Sequence, residues 1–157
     1  MTPPLYLLVV PFPPTVNNYY DHVSRKITRG EKAGKVFTSK RISDAGLVFR
    51  AEVARLSRLG HRTPPQLSGR LAIRAIAYPP DARARDLDNL GKALLDALTA
   101  ARVILDDSQF DEFRVLRGPA RPPRGALRLG IWRPDAVDFD ALSTVLGAPV
   151  VDLFSKS

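Results

Sequence analysis

The chain has no cysteine, only two histidines (His22 and His61), one tryptophan and one methionine. Without cysteine there are no disulfides, no thiolate nucleophile and no cysteine-ligated zinc. Two histidines do not make a multi-histidine metal site either. Long apolar runs are missing too. The stretch LYLLVVPF, residues 5–12, falls short of the ~20 residues a membrane helix needs. It has neither a basic leader nor a small-residue cleavage motif, so it does not read as a signal peptide. These absences point to a cytoplasmic protein with no membrane partner and no organic cofactor. Any metal must be held by carboxylates, which selects a hard cation, Mg2+ or else Mn2+.

What is present suits one globular domain. The chain has 157 residues, 45% of them hydrophobic and 25% charged, enough for a single core. The net charge is +8 and is unevenly spread. Residues 1–133 hold 23 Lys and Arg against 12 Asp and Glu, a net of +11, whereas residues 134–157 hold one Lys against four Asp, a net of −3. A basic body favours a polyanionic partner such as nucleic acid; an arginine-rich composition alone is the plainer explanation. The division predicts a domain over 1–133 followed by an acidic C-terminal extension, 134–157, of no evident role.

Residues 5–10 read as a first strand, ended by Pro11, Pro13 and Pro14. The next segment, TVNNYYDHVSRKITRGEKAGKVFTSKR, shows no sustained period and reads as a long basic loop. Ile42, Ala45, Phe49, Val53 and Leu56 then recur at threes and fours, predicting a helix over Ser39–Leu59 with Arg50, Arg55 and Arg58 on its solvated face. RLAIRAIAY reads as a strand. A second helix begins at Asp86 or Asp88 and runs to about Ala101, with Leu90, Leu94, Ala97 and Leu98 as its stripe. Strands are expected over 110–117 and 126–132, and a short amphipathic helix in VDFDALSTVLG. The order β-α-β-α-β-β predicts an α+β fold with one mixed sheet and helices against it.

The chemistry concentrates at RDLDNLGK, residues 85–92. In an extended segment Asp86 and Asp88 would point the same way, and a divalent cation between them would offset their repulsion. ILDDSQF adds Asp106 and Asp107 in a loop that can return beside the helix start. A third carboxylate from that pair would complete an oxygen-ligand site. Lys92 sits four residues after Asp88, where it can stabilise charge developing on a phosphate or orient an attacking water. The helix N-terminus also favours a phosphate. Together these parts suit metal-assisted phosphodiester hydrolysis. The competing reading makes Asp a helix cap and the Asp–Lys pair surface decoration.

RDLDNLGKALLDAL with the following DDSQ resembles the RusA family of Holliday junction resolvases, as do PFPPTVNNYY and YPPDARARDLDN. The resemblance spans about residues 5–132 and none of the tail. It implies a Mg2+-dependent homodimeric endonuclease that nicks four-way DNA junctions symmetrically. On that resemblance Asp86, Asp88 and Asp107 are the catalytic metal ligands and Lys92 is the active-site lysine. Asn89 positions a ligand or the DNA, and Arg83 and Arg85 belong to the basic approach loop. Ala84 interrupts what is often a continuous arginine run, which implies weaker DNA contact there. Asp106 remains the alternative third ligand.

A junction's approximate two-fold symmetry asks for two related sites, hence a homodimer. The first strand is a candidate interface, with core packing as the equal alternative. Arg25, Lys26, Arg29, Lys32 and Lys35 are candidate phosphate contacts. Tyr19 and Tyr20 either stack on an opened base or anchor their loop. His22 is read as incidental. Two other functions fit less well. A DNA-binding module that does not cut would have no reason to gather acid where phosphates approach. A nucleotide-sugar transferase using DLD would need the βα repetition of a nucleotide crevice.

Overall fold

The structure, a computed structural model, describes residues 3–59 and 63–134. The expected helix in VDFDALSTVLG, and nearly all of the acidic extension, lie outside those residues. In chain order the elements are β1 (Tyr6–Pro11), α1 (Val16–Tyr19), β2 (Tyr20–Lys26), β3 (Val36–Ile42), α2 (Asp44–Leu56), β4 (Leu71–Tyr78), α3 (Gly91–Ala100), β5 (Phe110–Arg117) and β6 (Ala126–Trp132). Short 3-10 turns, Asp88–Leu90 and Asp107–Gln109, precede α3 and β5. The fold is α+β with a mixed sheet.

Four strands form the main sheet in the order β1-β6-β4-β5. β6 runs antiparallel to both β1 and β4, while β5 runs parallel to β4. A parallel neighbour needs a crossover, and α3 supplies it. Its stripe is as spaced: Leu94, Ala97 and Leu98 are fully buried, with Leu90 just ahead of the helix. Each buried leucine contributes about 2 kcal/mol. Phe49 and Val53 of α2 meet the same core. β1 is an edge strand, where its terminal Pro11 costs no ladder bond. Tyr6, Leu8 and Val10 face the core, and Leu7 and Val9 face solvent.

The expected long basic loop is instead a hairpin. β2 and β3 pair antiparallel from Tyr20↔Ile42 to Lys26↔Val36 as a separate two-stranded sheet. No position on it is buried, so neither face needed apolar residues and the alternation that marks a strand was absent. Gly30 and Gly34 turn the chain at φ of 82° and 89°, a region closed to most side chains. Cross-strand contacts hold the arm: Ser24 Oγ lies 3.0 Å from Thr38 Oγ1, and Arg41 lies 3.3 Å from Asp21.

β3 also moves the start of the next helix. α2 begins at Asp44, not Ser39, and Ser43 caps it by accepting from the Gly46 N–H at 3.1 Å. Gly46 is required by closeness. A Cβ there would stand 2.8 Å from the Tyr19 carbonyl oxygen and 2.6 Å from Ile42 Cγ2. The missing side chain lets α2 lie against α1 and the root of the hairpin.

Candidate active site and nucleic-acid interface

Asp86 and Asp88 are not related by strand geometry, as the spacing suggested. Leu87 between them is in the right-handed helical region, at φ −71° and ψ −30°, and Asp88 opens the 3-10 turn. Leu87 packs on the core and Leu90 is buried within it, so burying these two leucines bends the segment. Asn89 links the two carboxylates instead. Its backbone N–H donates to Asp88 Oδ1 at 2.9 Å, and its Nδ2 donates to Asp86 Oδ2 at 3.4 Å.

The DDSQ stretch separates its two aspartates by role. Asp106 caps the turn before β5, accepting from the Ser108 N–H at 2.9 Å. That bonding holds its carboxyl below the ordinary aspartate range. Gln109 closes the capping box: its Oε1 accepts from the Leu105 and Asp106 N–H groups, and its Nε2 donates to the Leu67 and Gly69 carbonyls. Asp106 is used in this way, while Asp107 meets Lys92 Nζ at 3.2 Å. Lys92 in turn lies 2.7 Å from Asp96, one turn along α3. These two partners, Asp96 foremost, raise the ammonium's pKa well above the usual lysine value. Lys92 therefore pairs with Asp96 and Asp107, not with Asp88.

Asp96 was missed from the sequence, where it looked like another polar position on an amphipathic helix. It is half-buried and gathers three elements. Besides Lys92 it accepts from Tyr20 Oη at 2.8 Å and lies 3.5 Å from Arg50 Nη2. Arg50 was assigned to the solvated face of its helix. It is instead partly buried, with Nε donating to Tyr19 Oη at 2.5 Å. Arg55 does sit on that face, in an exposed pair with Glu52. Arg50, Lys92, Asp96, Asp106 and Asp107 line an open cleft of about 370 Å³.

Of the two open roles for the tyrosines, anchoring is the one observed. Tyr19 is fully buried, its ring 4.8 Å from that of Tyr20 and perpendicular to it. Tyr20 roots the hairpin on Asp96. Arg25, Lys26, Arg29, Lys32 and Lys35 all stand exposed along the arm or at its tip, and Lys40 covers the Tyr20 ring at 4.1 Å. In the approach loop Arg83 is largely exposed, whereas Arg85 grips Asp81 with both terminal nitrogens and lies over Phe12. The grip of Arg85, helped by the Arg83 N–H, pulls the Asp81 carboxyl far below its ordinary range.

Asp86, Asp88 and Asp107 are accessible oxygen donors of the kind a hard cation takes. Their chemistry fits one, but they do not converge as they stand. Among the described residues, no three His, Cys, Asp or Glu side chains are arranged to hold a metal ion. Asp107 is neutralised by Lys92 instead. Among the described residues, no helix is long and apolar enough to cross a membrane.

Residues 11–129 match the family model described as endodeoxyribonuclease RusA. A crossover junction endodeoxyribonuclease of Enterobacteria phage HK97 is 36% identical over 132 residues, covering 84% of this chain and 98% of the phage protein. That of Enterobacteria phage 82 is 39% identical over 114 residues, covering 73% and 83%. The enzyme of the same name from Escherichia coli strain K12 is 37% identical over 119 residues, again covering 73% and 83%.

Proposed function

Because this chain belongs to the RusA family of endodeoxyribonucleases, we propose that it cuts DNA at four-way junctions, in paired symmetric nicks, as a metal-dependent homodimer. The observation that carries this reading is the division of labour in DDSQ: Asp106 is consumed as a cap, and Asp107 is presented to Lys92. The second carboxylate is thus left beside the lysine that the family resemblance puts in the active site.

Asp86, Asp88 and Asp107 are the residues that would hold Mg2+, or Mn2+ in its place. A cation there would polarise the phosphate and lower the pKa of attacking water. The chain's own groups do the rest. Asn89 keeps Asp86 and Asp88 in fixed relation. Lys92 stays charged, held by Asp96. Its ammonium has three donors; with two directed at Asp96 and Asp107, the third is available to a phosphate oxygen whose charge grows in the transition state.

DNA would be gathered by the basic surface around this cleft. The hairpin, residues 20–42, carries seven Lys and Arg against two acids, and its root touches Asp96 through Tyr20. Arg83 adds a phosphate contact, while Arg85 shapes the loop through Asp81. For the second subunit, the outer sheet face offers Leu7, Ile76, Leu116 and Trp132 around one apolar cleft. Exposed Leu5 and Val9 extend it along β1. A two-fold dimer through this face would supply two equivalent sites.

Mapping cuts on end-labelled strands of a four-way junction tests the reading. Nicks at equivalent positions in opposite strands, absent from linear duplex, support it. Random or duplex-wide cutting would overturn it. Leu7→Asp should convert a dimer to monomers in sedimentation; an unchanged mass would move the interface elsewhere.

A further inference from the structure

The hairpin exposes two large apolar side chains, Val36 and Phe37, at 64% and 62% of their full surface. Among the described residues, no core packing explains them. β2 and β3 form their own sheet, away from the four strands that hold the core, and neither residue belongs to that core. An isolated hairpin is marginal in water, so apolar residues left in solvent there are a liability. The setting is equally specific. Phe37 is the Cα partner of Arg25 and flanks Lys26↔Val36, the last pair of the ladder. Directly opposed residues share a face, so the Phe37 and Arg25 side chains rise from the same side of the arm. The arm around it is strongly basic, with Lys26, Arg29, Lys32 and Lys35 at its outer end.

We infer that Phe37 is a stacking wedge, carried on a cationic arm, that inserts against unstacked bases at the branch point of a DNA junction. This rests on the junction reading above and deepens it. Charge complementarity identifies the occupant. A positive arm seats an aromatic ring only where polyanionic backbone and an open base face coincide. Interior base pairs of a duplex are stacked on both faces and offer no such surface without a bend or kink. At a strand-exchange point the two strands of a stacked step do not both run on continuously, so the step opens at less cost than one inside a duplex. The two tyrosines considered for stacking are committed to the fold: Tyr19 is buried and Tyr20 is bonded to Asp96. Phe37 is the aromatic left facing solvent on the arm. Tyr20 ties the arm's root to the residue that holds Lys92, so the arm is anchored at the cleft.

The test uses the full chain with a synthetic junction carrying 2-aminopurine at the branch point, and a linear duplex with the same base at the same sequence position. Wild type should raise the probe's emission in the junction only. Phe37→Ala should lose that rise and weaken junction binding about tenfold, with duplex binding unchanged and thermal stability kept. Phe37→Trp should restore both signal and binding. Unchanged emission and affinity in Phe37→Ala, with wild type still cutting junctions, would overturn the wedge and leave the nuclease reading intact. Equal losses on junction and duplex would also overturn it. If wild type showed no preference for junctions in binding or cutting, the junction reading itself would fail.

Discussion

Lys92 Nζ lies 2.7 Å from Asp96, a half-buried carboxylate one helical turn away that also accepts a hydrogen bond from Tyr20. The lysine is thus held in place from behind while it faces Asp107 in front. Lys92→Ala should lower single-turnover cleavage of bound junction by about a hundredfold or more, the scale of losing one preorganised electrostatic group. Asp96→Asn should lower it about tenfold, with junction affinity within twofold, because the lysine persists but is no longer fixed. Equal rates for Asp96→Asn and wild type would remove its positioning role.

Acid in a DNA-binding cleft repels phosphate. Asp86→Asn or Asp88→Asn should therefore retain or tighten junction binding while abolishing cleavage, measured by gel shift and nicking on one substrate. Both side chains are exposed, and their bonds are made with Asn89, so the fold should survive. Loss of binding together with cutting would make them structural.

Arg83 and Arg85 are two residues apart, and the structure gives them different work. Arg83→Gln should reduce the salt dependence of binding by about one unit of slope, the share of one phosphate contact. Arg85→Gln should act first on Asp81. The folded Asp81 carboxyl titrates far below the ordinary value because Arg85 grips it. Its pairing therefore favours the folded loop above about pH 4 and is lost as pH falls towards the depressed pKa. An NMR titration of the Asp81 carboxyl should show that low midpoint in wild type and a clear rise in Arg85→Gln, held short of the ordinary value by the Arg83 N–H. A normal midpoint in wild type would contradict the pairing.

Gly46→Ala puts a methyl group against the Tyr19 carbonyl and Ile42. It should cost about 1–3 kcal/mol, the range for overpacking a tight contact, read as a lower melting temperature. The same change should disturb the Arg50–Tyr19 bond. Unaltered stability would show that α2 does not lie as close to α1 as the structure has it.

The sequence carried the main sheet and both long helices because their stripes face one core. Leu94, Ala97 and Leu98 are spaced for burial and are buried. The hairpin was illegible for the opposite reason: with both faces in solvent, burial imposed no alternation on VSRK or VFTSK. RDLDN and DDSQ marked the two segments that make up the candidate site. What they could not show was the direction each aspartate turns, which depends on Leu87 and Leu90 seeking the core and on Gln109 completing a cap. Asp96 was hidden more deeply. Its value comes from Tyr20, 76 residues away in the chain, and no local pattern encodes a partner so distant.

The most direct test of the central claim is the cutting of a synthetic four-way junction by wild type and by Asp88→Asn, side by side, with Mg2+ and with EDTA. Paired nicks made only by wild type and only with Mg2+, while both proteins bind the junction, are the predicted result. A wild-type protein that binds the junction but leaves every strand intact with Mg2+ would contradict the account and make the acidic cluster a structural feature of a binding protein.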